Sequence, residues 1–160
     1  MAFKDRSFAL ALMLATAAHG QQKIAFGELD QDTSLPVQVQ ADQLAVNNAD
    51  GSAMFSGNVV VTQGEMKLAA GEVKVSYGAD KKSIETLIAS GGVTVTNLGD
   101  AAEAKQALYT IASGVIVLSG DVLLTQGPSA MAGQKLTINL KDGTGVMEGR
   151  VTTTFVPGGN

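Results

Sequence analysis

The chain has 160 residues and a mass of 16.3 kDa, a one-domain length, because two cores of half that size would each barely offset chain entropy. It is 45% hydrophobic but only 4% aromatic, with no Trp and no Cys, so its interior is aliphatic, and disulfides, thiolate nucleophiles and cysteine zinc sites are excluded. Its 11 Lys and Arg against 15 Asp and Glu give a net charge of −4, which leaves nucleic acid phosphates no charge to bind.

In residues 1–20, Lys4 and Arg6 precede an uncharged run from Ser7 to Ala18 that closes on the small-x-small triplet Ala18-His19-Gly20. This is the pattern of a cleaved secretory signal, and its apolar run is shorter than the roughly 20 residues a membrane span needs. The mature protein is therefore expected to be exported and soluble. Cleavage removes His19, the only histidine, and leaves a net charge of −5. Without imidazole the mature chain lacks the commonest general base and transition-metal ligand. Residues 21–34 and 158–160 carry little periodicity, so a flexible N-terminal segment and a short C-terminal tail are expected to flank a folded domain over 35–157.

Within that domain the strongest signal is repetition. Ser56-Gly57-Asn58-Val59-Val60-Val61-Thr62-Gln63-Gly64 is nearly duplicated by Ser119-Gly120-Asp121-Val122-Leu123-Leu124-Thr125-Gln126-Gly127, with weaker copies at Ser90-Gly91-Gly92-Val93 and Glu148-Gly149-Arg150-Val151. Thirteen residues after each of Gly57, Gly91 and Gly120 stands a small residue (Ala70, Ala104, Gly133), and Ala41 holds the equivalent place before the first glycine. Three and five positions beyond those small residues come Leu44 and Val46, Val73 and Val75, Ala107 and Tyr109, and Leu136 and Ile138. One copy carries a five-residue insertion at Gly78 to Ser83, and the result is four units of 29 to 34 residues.

Apolar residues at every second position are the mark of a strand with one face buried. Asn48-Ala49-Asp50-Gly51, Gly78-Ala79-Asp80 and Lys141-Asp142-Gly143 supply the turns between strands. Leu98 to Leu108 has helix-like Ala, Glu, Lys and Gln content, but the repeat register predicts a strand from about Ala104. One unit cannot bury its own stripe, so the units must stack around a shared interior. With few rings to fill it, that interior is either an apolar slot between two facing sheets or a closed core.

The strand Leu35-Pro36-Val37-Gln38-Val39-Gln40-Ala41-Asp42-Gln43-Leu44, the two SG-V-TQG segments, AxxVxV from Ala70 and the closing VTTTFVP at Val151 to Pro157 together resemble the OstA-like family over residues 35–157. The resemblance implies an all-β fold, an open twisted β-jellyroll of antiparallel strands, in the periplasm. It also implies that the apolar interior holds the lipid A acyl chains of lipopolysaccharide. The implied partners are like domains of an inner-membrane extractor and an outer-membrane translocon, bridged by head-to-tail homo-oligomers. The chain departs from the family in showing no basic tail after Pro157.

The alternation then names the wall of the slot: Val37, Val39, Val59, Val61, Val73, Val75, Tyr109, Ile111, Val122, Leu124, Leu136 and Ile138. Tyr109, a ring with a polar tip, suits a boundary between acyl chain and sugar. The end strands Val37, Gln38, Val39, Gln40 and Val151, Thr152, Thr153, Thr154, Phe155, Val156 carry no charge, so they invite strand addition by a neighbouring jellyroll, unless Pro36 and Pro157 cap them. Met54, Met66, Met131 and Met147 read as core fillers, pliable enough for a lipid wall. Asp42, Asp50, Asp80, Asp100, Asp121 and Asp142 sit mostly in turn contexts and read as solvated, leaving no catalytic carboxylate pair. Neither a metal site nor a phosphate loop is found, so a non-enzymatic protein without cofactors is expected. The alternative to a lipid carrier is a β-solenoid structural protein that polymerises through its ends.

Overall fold

A computed structural model describes residues 22–25 and 32–157, so the expected leader at 1–20 and the tail at 158–160 lie outside the described residues. The strands are β1 (Gln22–Ala25), β2 (Gln38–Gln40), β3 (Gln43–Val46), β4 (Ala53–Gln63), β5 (Met66–Tyr77), β6 (Ile84–Ser90) and β7 (Val93–Asn97). They continue as β8 (Asp100–Ala104), β9 (Gln106–Thr110), β10 (Val115–Gln126), β11 (Ser129–Asn139), β12 (Thr144–Glu148) and β13 (Thr152–Thr154). Every pairing is antiparallel, and among the described residues there is no helix.

The pairings resolve into two layers that share their long strands. The upper layer runs β3-β4-β5-β6-β9-β10-β11-β12-β1, using the first half of β4 and β10 and the second half of β5 and β11. The lower layer runs β2-β4-β5-β7-β8-β10-β11-β13, using the other halves.

The repeated glycines are the corners where strands change layer. Gly57, Gly91, Gly120 and Gly149 have φ of 79°, 79°, 84° and 86°, and the residue after each (Asn58, Gly92, Asp121, Arg150) is also left-handed. Two such residues in succession cannot continue a ladder. In β4 and β10 the register shifts there, between Ser56 and Val59 and between Ser119 and Val122, while the same pair separates β6 from β7 and β12 from β13. Glycine is needed for space as well as for φ. A Cβ on Gly57 would lie 2.6 Å from Asp42 Oδ2, on Gly120 2.9 Å from Lys105 Cβ, and on Gly149 2.7 Å from Gln134 Cβ. In each case the obstructing residue follows the preceding repeat's small residue, while the constant thirteen-residue interval is a hairpin length that pairs Val59 with Ala70, Val93 with Ala104 and Val122 with Gly133. Outside the first corner Asn58 Nδ2 donates to Asp42 Oδ2 at 3.0 Å, and Lys105 pairs with Asp121 at 3.1 Å in full exposure, a contact that adds little stability.

The helix-like stretch Leu98 to Leu108 forms strand from Asp100 onward, earlier than the repeat register alone indicates. Tertiary pairing overrides propensity: Ala102 and Ala107 occupy inward positions opposite Leu124 and Leu118. Segment 21–34, aperiodic in sequence, contributes β1, which pairs with β12 in the register Gln22↔Met147 to Ala25↔Thr144.

Gly120→Ala should destabilise the fold by about 2–3 kcal/mol, from both backbone strain and the Lys105 contact. Gly127→Ala, at φ 54° with nothing within 4 Å, should cost only about 1 kcal/mol. Denaturant unfolding of the two variants checks this, and equal losses would contradict close packing at the corner.

Candidate functional site

Facing residues of the two layers form continuous apolar rows. In the upper layer one row reads Val46, Ala53, Val75, Leu87, Tyr109, Ile116, Ile138, and a second reads Leu44, Phe55, Val73, Ala89, Ala107, Leu118, Leu136, Met147. In the lower layer Val39, Val61, Leu68, Val95, Ala102, Leu124, Met131 and Thr153 lie strand beside strand from one end to the other.

All twelve wall residues named by the alternation belong to this interior or its margin. Val59, Val61, Val73, Val75, Tyr109, Val122, Leu124, Leu136 and Ile138 are at most 1% exposed, and Val37, Val39 and Ile111 are half-buried against the same cluster. The two layers therefore meet directly in this state, and the interior is a closed core rather than a standing slot. Met66, Met131 and Met147 are buried within it, while Met54 faces outward.

At the ends the rows run out into solvent. The inward positions Leu44 and Val46 of β3 are 57% and 63% exposed, although their repeat equivalents Val73, Val75, Leu136 and Ile138 are fully buried. At the opposite end of the lower layer Phe155 is 66% exposed, just beyond β13. Among the described residues β2 and β13 each pair with one strand only, so the edges expected at Val37 to Gln40 and Val151 to Val156 fall at sheet ends, though the strands themselves are shorter, Gln38–Gln40 and Thr152–Thr154. Leu44 and Val46 were not among the expected edge residues, yet the repeat register that placed them inward was already the signal.

Sequence reasoning also missed the glutamine of the TQG segment. Alternation through Val59 and Val61 points Gln63 inward, where its amide must find partners. Tyr109 Oη, from the upper layer, donates to Gln63 Oε1 of the lower layer at 2.5 Å, while Gln63 Nε2 donates to the carbonyls of Thr33 and Leu35 at 2.9 and 3.0 Å. The equivalent Gln126 reaches Asp100 Oδ2 at 3.0 Å. Tyr109, fully buried, thus ties the two layers together. Burial pushes its phenol up to about 12, against a smaller opposing effect of the Gln63 hydrogen bond.

Most of the acidic residues do lie in turns. Asp50 Oδ1 accepts from Ser52 N and Oγ, Asp80 from Lys82 N and Ser83, and Asp142 from Thr144 N and Oγ1. These local hydrogen bonds hold the Asp50 and Asp80 carboxyls below the ordinary carboxylate range. Asp100, on β8 beside Gln126, and Asp121, at the corner within β10, are the exceptions. Among the described residues no three His, Cys, Asp or Glu side chains gather as a metal site would require.

A profile of the LptA/(LptD N-terminal domain) LPS transport protein family matches residues 38–144. The chain belongs to this family. The lipopolysaccharide export system protein LptA of Escherichia coli (strain K12) is 30% identical to it over 169 residues, covering 98% of this chain and 90% of that protein. The LPS-assembly protein LptD of Sodalis glossinidius is 38% identical over 66 residues, 40% of this chain and 8% of that protein. In fold, the crystal structure of LptH, the LptA homologous periplasmic component of the lipopolysaccharide transport device from Pseudomonas aeruginosa, superposes with a TM-score of 0.71 at 21% identity, covering 79% of this chain and 99% of that one. The family's all-β antiparallel jellyroll is thus the fold of this protein.

The Tyr109 phenol has a folded pKa above its unfolded value of 10.0, so its contribution to stability is complete below pH 10 and is lost as pH rises toward 12. Tyr109→Phe should lose about 1 kcal/mol near neutrality, through one missing hydrogen bond. Its deficit against the parent protein should then shrink between pH 10 and 12, as thermal unfolding at each pH would read. A deficit constant over that range would contradict the interior placement of the phenol.

Proposed function

We propose that the protein is a periplasmic lipopolysaccharide carrier, without catalytic activity, that shields lipid A acyl chains between its two layers. By head-to-tail assembly it would bridge like-built domains of an inner-membrane extractor and an outer-membrane translocon. The observation that carries this reading is the apolar interior, continuous through both layers and left uncovered where Leu44 and Val46 reach solvent. Membership of a lipopolysaccharide transport family supports it.

The energetics favour a conduit over a tight binder. Each acyl methylene taken from water contributes about 0.8 kcal/mol. When the layers part around a chain, their side chains exchange contact with each other for contact with hydrocarbon, so little hydrophobic stabilisation is lost. The layers are held together by such non-directional contact and by the hydrogen bond from Tyr109 to Gln63, and the ion pairs Lys105–Asp121 and Lys135–Glu148 lie on the surface. Lys81 and Lys82, the one adjacent basic pair, lie in the exposed turn between β5 and β6 rather than at the interior, so the anionic sugar head would remain outside.

A photo-crosslinking residue at Val39, Tyr109 or Ile111 should capture lipopolysaccharide in the periplasm, whereas the same residue at the outward Lys74 should capture none. Capture at neither set would favour the solenoid that polymerises without lipid, and equal capture at both would reject an interior path.

A further inference from the structure

The two ends of the upper layer are not alike. Among the described residues β3 has only β4 beside it, and its Leu44 and Val46 extend the interior rows into solvent. At the other end the outer side of β12 is already taken by β1, from the opposite end of the chain. In the lower layer both terminal strands, β2 and β13, have no strand on their outer sides among the described residues.

Stacking copies so that both layers continue requires β2 beside β13 and β3 beside β12. Because every pairing is antiparallel, strand direction alternates along the upper layer from β3 to β12. A second copy's β3 set against β12 would therefore run as β1 runs. Both are four residues long. β1 occupies the place that such a β3 would take. It starts at Gln22, two residues beyond the predicted cut after Gly20, and β12 is its one strand partner among the described residues.

We propose that β1 closes the β12 edge in cis, and that a second copy of this chain docks there by exchanging its own β3 for β1. The proposal rests on the head-to-tail reading above and specifies its joint. An uncovered β12 would present a row of unpaired N–H and C=O groups, the hazard that sheet proteins blunt by covering the edge. The exchange keeps the ladder while burying Leu44 and Val46, so it favours assembly only when a correctly shaped end arrives.

Three variants of the full chain test this, each followed by sedimentation across a concentration series. Ile24→Pro removes a β1 amide and frees the edge, and should tighten self-association by about tenfold or more, the tax that a mostly closed edge imposes. Lys23→Cys with Val146→Cys, at directly opposed positions in a chain without native Cys, should lock β1 and hold the protein monomeric until reductant is added. Ala45→Pro breaks the ladder that seats β3 on β4, so it removes β3 as a docking strand and should abolish association in both the parent and the Ile24→Pro backgrounds. If Ile24→Pro leaves association unchanged or the oxidised lock assembles freely while Ala45→Pro still abolishes it, the head-to-tail joint stands and the role of β1 is overturned. If Ala45→Pro assembles like the parent, the β3 joint and the exchange fall together.

Discussion

Four left-handed corners govern this molecule. At Gly57, Gly91, Gly120 and Gly149 the backbone takes φ near 80° and the next residue follows it, so a strand that began in one layer finishes in the other, or stops. Without those corners the alternating sequence would lie down as a flat sheet with an exposed apolar face. With them, each unit folds its inward stripe against itself, and stacking the units extends one interior through the length of the domain. Glycine is required twice over, by dihedral angle and by the neighbouring strand's approach within 3 Å of where a Cβ would stand at three of the four corners.

That construction has a functional corollary. A barrel would close its edges and fix its volume, whereas two layers joined along a line of corners can separate on the far side and remain open at each end. The interior is aliphatic over most of its length, its buried polar groups being Tyr109, Gln63, Asn97 and Ser52 among the described residues, so an acyl chain would meet few groups that select its position. Indifference to position suits a protein that passes cargo along. In the head-to-tail assembly proposed above the same lining would carry from copy to copy, because the end residues Leu44 and Val46 are inward residues of the repeat.

Much of this was legible in the residues themselves. The interval from glycine to small residue encodes the hairpin that pairs Val59 with Ala70 and Val122 with Gly133, and the positions three and five beyond encode the inward rows. Alternation is a local property, so it identified Val73, Val75, Leu136 and Ile138 as interior. What escaped it was long-range. The pairing of β1 with β12 joins residues more than a hundred positions apart through four residues with no distinctive pattern. Whether the facing layers touch depends on the summed volume of side chains from many strands, which no single strand reports. Gln63 was overlooked because a polar residue inside a strand reads as outward until its partners, here Tyr109 and the carbonyls of Thr33 and Leu35, are known.

The central claim is that the layers part to admit acyl chains. Spin labels at Lys74, on the outside of the upper layer, and at Thr125, on the outside of the lower, can be placed cleanly in a chain with no Cys of its own, and pulsed electron paramagnetic resonance then reads the distance between the layers. The account predicts a longer and broader distance distribution when lipopolysaccharide is bound than in the free protein. Bound lipopolysaccharide with an unaltered distance would place the lipid outside the layers and contradict it.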